Sequence, residues 1–133
     1  MKYAIRLTTP LSLILMIACG PESPEHCACT TDFRAVQILV IAPVGAPVPV
    51  DSVEVTLVRT SEILRVAQPG LHAGVVNVVD DSSRARLEPS GDTVRVTVTA
   101  AARSAAVDMV VGVDQPCQCH VFKVSGPNFV VLR

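Results

Sequence analysis

The chain has 133 residues, half of them hydrophobic, with 3% aromatic residues, no Trp and a formal net charge of −1. That length suits one ordinary domain, whose core has to be assembled from Val, Leu, Ile and Ala rather than from aromatic rings. No basic or acidic block occurs, which argues against a nucleic-acid surface, since that needs clustered Lys and Arg.

At the start, Lys2 and Arg6 give a positive segment ahead of the short apolar run LSLILMIA. This is the pattern of a secretory leader, too short to persist as a spanning anchor once cut. The run closes as MIACG, with small Ala18 before Cys19. MIACG resembles the lipobox of bacterial lipoproteins. The resemblance implies that the leader, residues 1–18, is removed before Cys19, that the Cys19 thiol takes a diacylglycerol, and that the new amine is acylated. Two or three acyl chains, at about 0.8 kcal/mol per buried methylene, would hold a soluble domain on a bilayer. By the same resemblance, Gly20 in place of Asp points to the outer membrane of a Gram-negative cell. Without Lys2 and Arg6 the mature part keeps nine basic and twelve acidic residues, a formal charge of −3. GPESPE at 20–25 reads as a polar tether, and residues 19–32 as the lipidated tether with the N-terminal cysteine segment.

With Cys19 assigned to lipid, four of the five cysteines remain: Cys27 and Cys29 in HCAC, Cys117 and Cys119 in CQCH. An even remainder in an oxidising compartment predicts disulfides. A bridge within C-x-C closes a small strained ring. Two long-range pairings are left: Cys27 with Cys119 and Cys29 with Cys117, or Cys27 with Cys117 and Cys29 with Cys119. The first follows if the two segments are antiparallel neighbours, and it is the favoured expectation. Residues two apart on a strand share a face, so two C-x-C pairs on strands can align two bridges. Closing one loop of roughly 90 residues stabilises by about 4 to 5 kcal/mol in the chain-entropy model. The rival from another class is a metal or redox protein. Four thiolates, or two with His26 and His120, suit zinc, and soft thiolates suit Cu(I). Against it, C-x-C on extended chain sets its sulfurs about 7 Å apart. No metal ligand and no cofactor are assigned.

From residue 33 onward strand signals dominate. FRAVQILVIAP is rich in β-branched residues, and VGAPVPVD reads as a turn or edge segment. SVEVTLVRT alternates, with Val53, Val55 and Leu57 on one face. EILRVAQ is a shorter strand that breaks at PG, and AGVVNVVDD is another, ending at Asp80-Asp81. RARLEPSGD reads as a loop with one short extended piece. TVRVTVTAA alternates most clearly, with Val94, Val96 and Val98 facing in. SAAVDMVVGVD places Ala105, Val107, Met109, Val111 and Val113 on one face, and a short helical turn is possible within TAAARSAAVDM. CQCHVFKVS and NFVVLR complete the chain. Seven or eight short strands separated by turn signals predict an all-β, antiparallel immunoglobulin-like or transthyretin-like sandwich over residues 33–133, with no second domain.

GAPVPVDSVEVTLVR, GDTVRVTVTA and VVGVDQPCQCHVFKVSGP are similar to carboxypeptidase regulatory-like domains, which share a transthyretin-like sandwich. The resemblance covers roughly residues 33–132. It implies a noncatalytic accessory or binding module and carries over no catalytic residue.

No nucleophile motif is visible, and Ser, His and Asp are scattered. A hydrolase would need His26, His72 or His120 beside a buried carboxylate and a nucleophile; His72 is the one weighed as the centre of a pocket, and no enzyme is expected. Asp80 and Asp81 with Asp92 or Asp114 offer oxygen atoms to Ca2+ if their loops meet, but aspartates at strand ends also serve turns. Arg84 and Arg86 read as surface charge. The expected protein is a lipid-anchored, disulfide-stapled structural or interaction module of the cell envelope. It meets the membrane through its anchor and a protein or other envelope component as partner. The lack of Trp, with Tyr3 in the leader as the single Tyr, speaks against glycan binding.

Overall fold

The computed structural model describes residues 27–133. The leader, Cys19 and His26 lie outside the described residues. Along the chain come β1 (Ala35–Ile41), β2 (Ser52–Leu57), β3 (Glu62–Leu64), a 3₁₀ turn (Leu71–Ala73), β4 (Val75–Asp80), a second 3₁₀ turn (Arg84–Arg86), β5 (Asp92–Ala100), β6 (Arg103–Val113), β7 (Val121–Ser125) and β8 (Phe129–Val131). They build two sheets, ordered β4-β1-β8 and β3-β2-β5-β6-β7, which pack as an all-β sandwich.

Period-two alternation sets the inner faces. Val94, Val96 and Val98 of β5 are fully buried, and Val55 and Leu57 of β2 and Met109 and Val111 of β6 join them. Val36, Ile38 and Val40 of β1 and Val76 and Val78 of β4 face them from the other sheet. β-branched side chains fill such pleated surfaces well, and each buried Val or Leu contributes about 1.5–3 kcal/mol relative to exposure.

All ladders are antiparallel except one: β8 runs parallel to β1, pairing Leu39 with Phe129 and Ile41 with Val131. The chain reaches β8 by leaving the five-stranded sheet after β7 and crossing to the other layer. Gly126 makes the crossing possible. Its φ is +120°, and a Cβ there would lie 2.5 Å from the Met109 Cβ.

Two local expectations are corrected. Ala101 and Ala102 form no helical turn; they are the two central residues of the β5–β6 hairpin, with φ of 47° and 60°. The nine-residue register between β5 and β6 outweighs the helix preference of alanine, and the Asp51 carboxylate supports the turn by accepting the Ala101 N–H at 2.8 Å. RARLEPSGD is a loop that carries a 3₁₀ turn, Arg84–Arg86, followed by Leu87 in extended conformation. Neither C-x-C lies on a strand: residues 27–34 precede β1, and the loop 114–120 precedes β7.

The edge strand β4 is closed by a side chain. The Gln68 amide accepts from the Asn77 N–H at 2.9 Å and donates to the Asn77 carbonyl at 2.7 Å. It thereby stands where a neighbouring strand would.

Candidate functional site

Four of the six buried polar residues, Asp80, Asp81, Ser83 and His120, gather at the end of β4 and the start of β7. The N-terminal segment 27–34 is tied down there. Two disulfides hold it, Cys27 to Cys117 and Cys29 to Cys119, with Cα–Cα separations of 5.3 and 5.4 Å. The favoured pairing, Cys27 with Cys119 and Cys29 with Cys117, is therefore corrected. That pairing assumed antiparallel strands; here the two segments are loops that meet in the same sequence order. All four cysteine sulfurs are consumed in bridges, so the metal or redox reading loses the thiolates it needed.

Asp81 is the centre of the site. Its Oδ2 accepts the Arg34 N–H at 2.9 Å, while the Asp81 N–H donates to the Arg34 carbonyl at 3.0 Å. Its Oδ1 accepts the Val121 N–H at 2.9 Å. One carboxylate thus joins the segment before β1 to β7 of the other sheet. The His120 ring is the third partner, with Nδ1 2.8 Å from Oδ2. Burial pushes the Asp81 carboxyl up, but the bonds from His120, Arg34 and Val121 outweigh it and hold the group below its ordinary value.

An ionised Asp81 can only accept, so the His120 tautomer follows: Nδ1 carries the proton and donates it. In the neutral ring Nε2 is then an acceptor. It faces the Thr30 hydroxyl, Oγ1 to Nε2 at 2.8 Å. The result is an unbroken chain of hydroxyl, imidazole and carboxylate from Thr30 through His120 to Asp81.

The backbone around it is fixed on both sides. Asp114 accepts the His120 N–H at 2.8 Å through its carboxylate and donates its own N–H to the His120 carbonyl at 3.0 Å. Arg84 donates from Nη1 to the Cys119 carbonyl at 2.7 Å, so it is more than the surface charge expected of it. Arg86 pairs with Glu62 at 3.0 Å. Beside Thr30 and His120 opens a cleft of about 300 Å³, lined also by Asp32, Phe33, Ser82 and Arg84. A larger groove of about 580 Å³ lies against β2 and β3 and the segment 65–68, but it brings together no acid–base pair.

Thr30 is not among the residues the sequence singles out, and His120 stands out there only as a zinc or hydrolase histidine. Nothing in the spacing of 30, 81 and 120 marks them. The pairing does: bridging Cys29 to Cys119 places the next residues, Thr30 and His120, side by side. The other weighed residues go elsewhere. His72 is exposed on the first 3₁₀ turn. Asp80 accepts from Ser82, both from its N–H and from its hydroxyl. Asp92 is gripped by Arg59 through two bonds of 3.0 Å and accepts the Glu88 N–H at 2.7 Å. Each of these carboxylates is committed to protein donors. Among the described residues no group of three or more His, Cys, Asp or Glu side chains is placed to hold a metal ion.

No protein-family model, no curated protein and no solved structure matches this chain.

Proposed function

We propose that the chain is an exported, lipid-anchored protein of the outer membrane. In this reading its clasped sandwich is an interaction module of the carboxypeptidase regulatory-like kind that meets a protein or other envelope component. The observation that carries this reading is the pairing of all four cysteines after Cys19. Two bridges across 90 residues need an oxidising compartment, and they account for the four cysteines that follow Cys19, which itself ends an apolar leader in the sequence. The tether 20–25 with His26 puts seven residues between Cys19 and Cys27, which span at most about 25 Å, so in this reading the clasp end is the part of the domain held nearest to the anchor.

Metabolic labelling with a palmitate analogue, followed by fractionation, tests the anchor. The expected result is label on the wild-type chain in the membrane fraction and its loss in Cys19→Ser. A chain that takes no label and is recovered from the cytoplasm with Cys27, Cys29, Cys117 and Cys119 as free thiols would overturn the reading.

A further inference from the structure

We propose that Thr30, His120 and Asp81 form an acyl-transfer site that hydrolyses short-chain esters through an acyl-Thr30 intermediate. The sequence offered no way to bring a histidine beside a buried carboxylate and a nucleophile; the Cys29–Cys119 bridge supplies one. The geometry meets each requirement of such a site. The nucleophile oxygen and the base nitrogen are 2.8 Å apart. The base is oriented by a buried carboxylate, also at 2.8 Å, which fixes the proton on Nδ1. That carboxylate is itself locked by two backbone N–H groups. Thr30 is exposed and lines an open cleft, whereas His120 is 6% exposed, so a substrate reaches the hydroxyl first.

A purely structural clasp does not call for all of this. Asp81 already has two backbone donors and the ring on its two oxygens. The segment is already held by two covalent bridges. The Thr30 hydroxyl adds no donor to Asp81; it sits on the one imidazole nitrogen that has a lone pair to accept its proton.

Thr30 Oγ1 bonds to the ester carbonyl carbon as its proton passes to His120 Nε2. The tetrahedral oxyanion collapses, the bond from carbon to the alcohol oxygen breaks, and His120 returns the proton to the departing alkoxide. Water then repeats the attack on acyl-Thr30 with His120 as base, releasing the carboxylic acid and restoring the hydroxyl. Ester and water become acid and alcohol. Arg84 lines the same cleft and brings positive charge to offset the developing oxyanion. Phe33, 69% exposed at the rim, offers an apolar face to the acyl chain. The open cleft of about 300 Å³ has room for a small acyl group such as acetyl.

The test uses the chain as recovered from expressing cells with both bridges intact, and 4-nitrophenyl acetate as probe. The expected result is nitrophenolate release faster than with free imidazole, and one acetyl group mapped by peptide mass spectrometry to Thr30 after rapid acid quench. Thr30→Val and His120→Ala each lower the rate by on the order of 10²-fold or more, as general-base catalysis requires. Thr30→Ser keeps activity. Asp81→Asn, a change in a positioning residue, lowers kcat with KM unchanged. Adduct mapping on the wild-type chain needs no variant to fold. Acetyl found on Lys123 instead of Thr30, a wild-type rate no greater than that of imidazole, or a Thr30→Val rate equal to wild type would each overturn the proposal. The lipid anchor at Cys19 is untouched by any of these outcomes.

Discussion

The middle of β5 and the far end of β4 are both buried, and they are held by opposite means. At Val94, Val96 and Val98 burial comes from a repeating pattern: every second residue is apolar, and the neighbouring strands β2 and β6 repeat it in register. No single contact decides the outcome. At Asp81 burial depends on particular partners: two backbone N–H groups and one ring nitrogen, brought from positions 34, 121 and 120. A lost methylene in the first region leaves a small void, whereas a lost partner in the second leaves a buried polar group unpaired. Redundant packing builds the scaffold, and specific polar bonding builds the site at its end.

The largest separation between the two regions is expected from the bridges. Both span 90 residues, and the second closes a loop the first has already closed. Removing both by Cys→Ala at all four positions should lower stability by about 4–5 kcal/mol, the closure entropy of a single loop of that length. Removing either pair alone should cost much less. Denaturant unfolding midpoints of the three variants check this. Equal losses for each single pair, adding up in the quadruple variant, would break the argument, because they would show that the bridges hold separate parts of the molecule. The folded β5–β6 core should persist in all three.

A core truncation comes next. Leu57 is 1% exposed on the inner face of β2. Leu57→Ala should cost about 2–5 kcal/mol through lost burial and the void it leaves. In a domain of this size that lowers the melting temperature by roughly ten degrees or more. Ester hydrolysis measured well below the new melting point should be unchanged, since Leu57 lies on β2 between β3 and β5, and Thr30, Asp81 and His120 lie on none of these strands. A matching fall in activity would show that the two regions are not independent.

The same contrast explains what could be read from the chain. The inward faces of β2, β5 and β6 were legible because alternation is a local property that needs only a few consecutive residues. The sandwich followed from counting such segments. The Ala101–Ala102 turn was not legible, because the residues themselves favour helix and only the register of two long strands forces them to positive φ. Nor was the order of the bridges, because it depends on two loops that were taken for strands. The site depends on that order. His120 beside Thr30 is a contact across 90 positions and His120 beside Asp81 one across 39. Asp80-Asp81 and the histidine that closes CQCH both stand out in the sequence, but a long-range polar contact leaves no period there. Only the Cys29–Cys119 bridge announces it.

The smallest effect is expected on acidification, and its sign is fixed. Asp81 in the folded chain sits below the ordinary carboxyl value of 3.8. A depressed carboxyl contributes stability that is fully present above that ordinary value and is lost as the pH falls below it through the group's own lower value. Asp92, held down chiefly by the Arg59 bonds, and Asp108, held down chiefly by Arg95, titrate in the same direction. The whole acid limb therefore does not belong to Asp81. The difference between wild type and Asp81→Asn does, because the other two carboxyls are common to both. The variant should be less stable at neutral pH, since an amide offers one acceptor oxygen to the three donors from Arg34, Val121 and His120. As the pH drops below 3.8, the wild type should lose stability faster, so the two curves approach each other. Urea midpoints measured on both chains from neutral pH into that range check it. Curves that stay parallel would mean that the folded chain does not favour the ionised form of Asp81, and with that the fixed proton on His120 Nδ1, on which the proposed acyl transfer depends, would lose its basis.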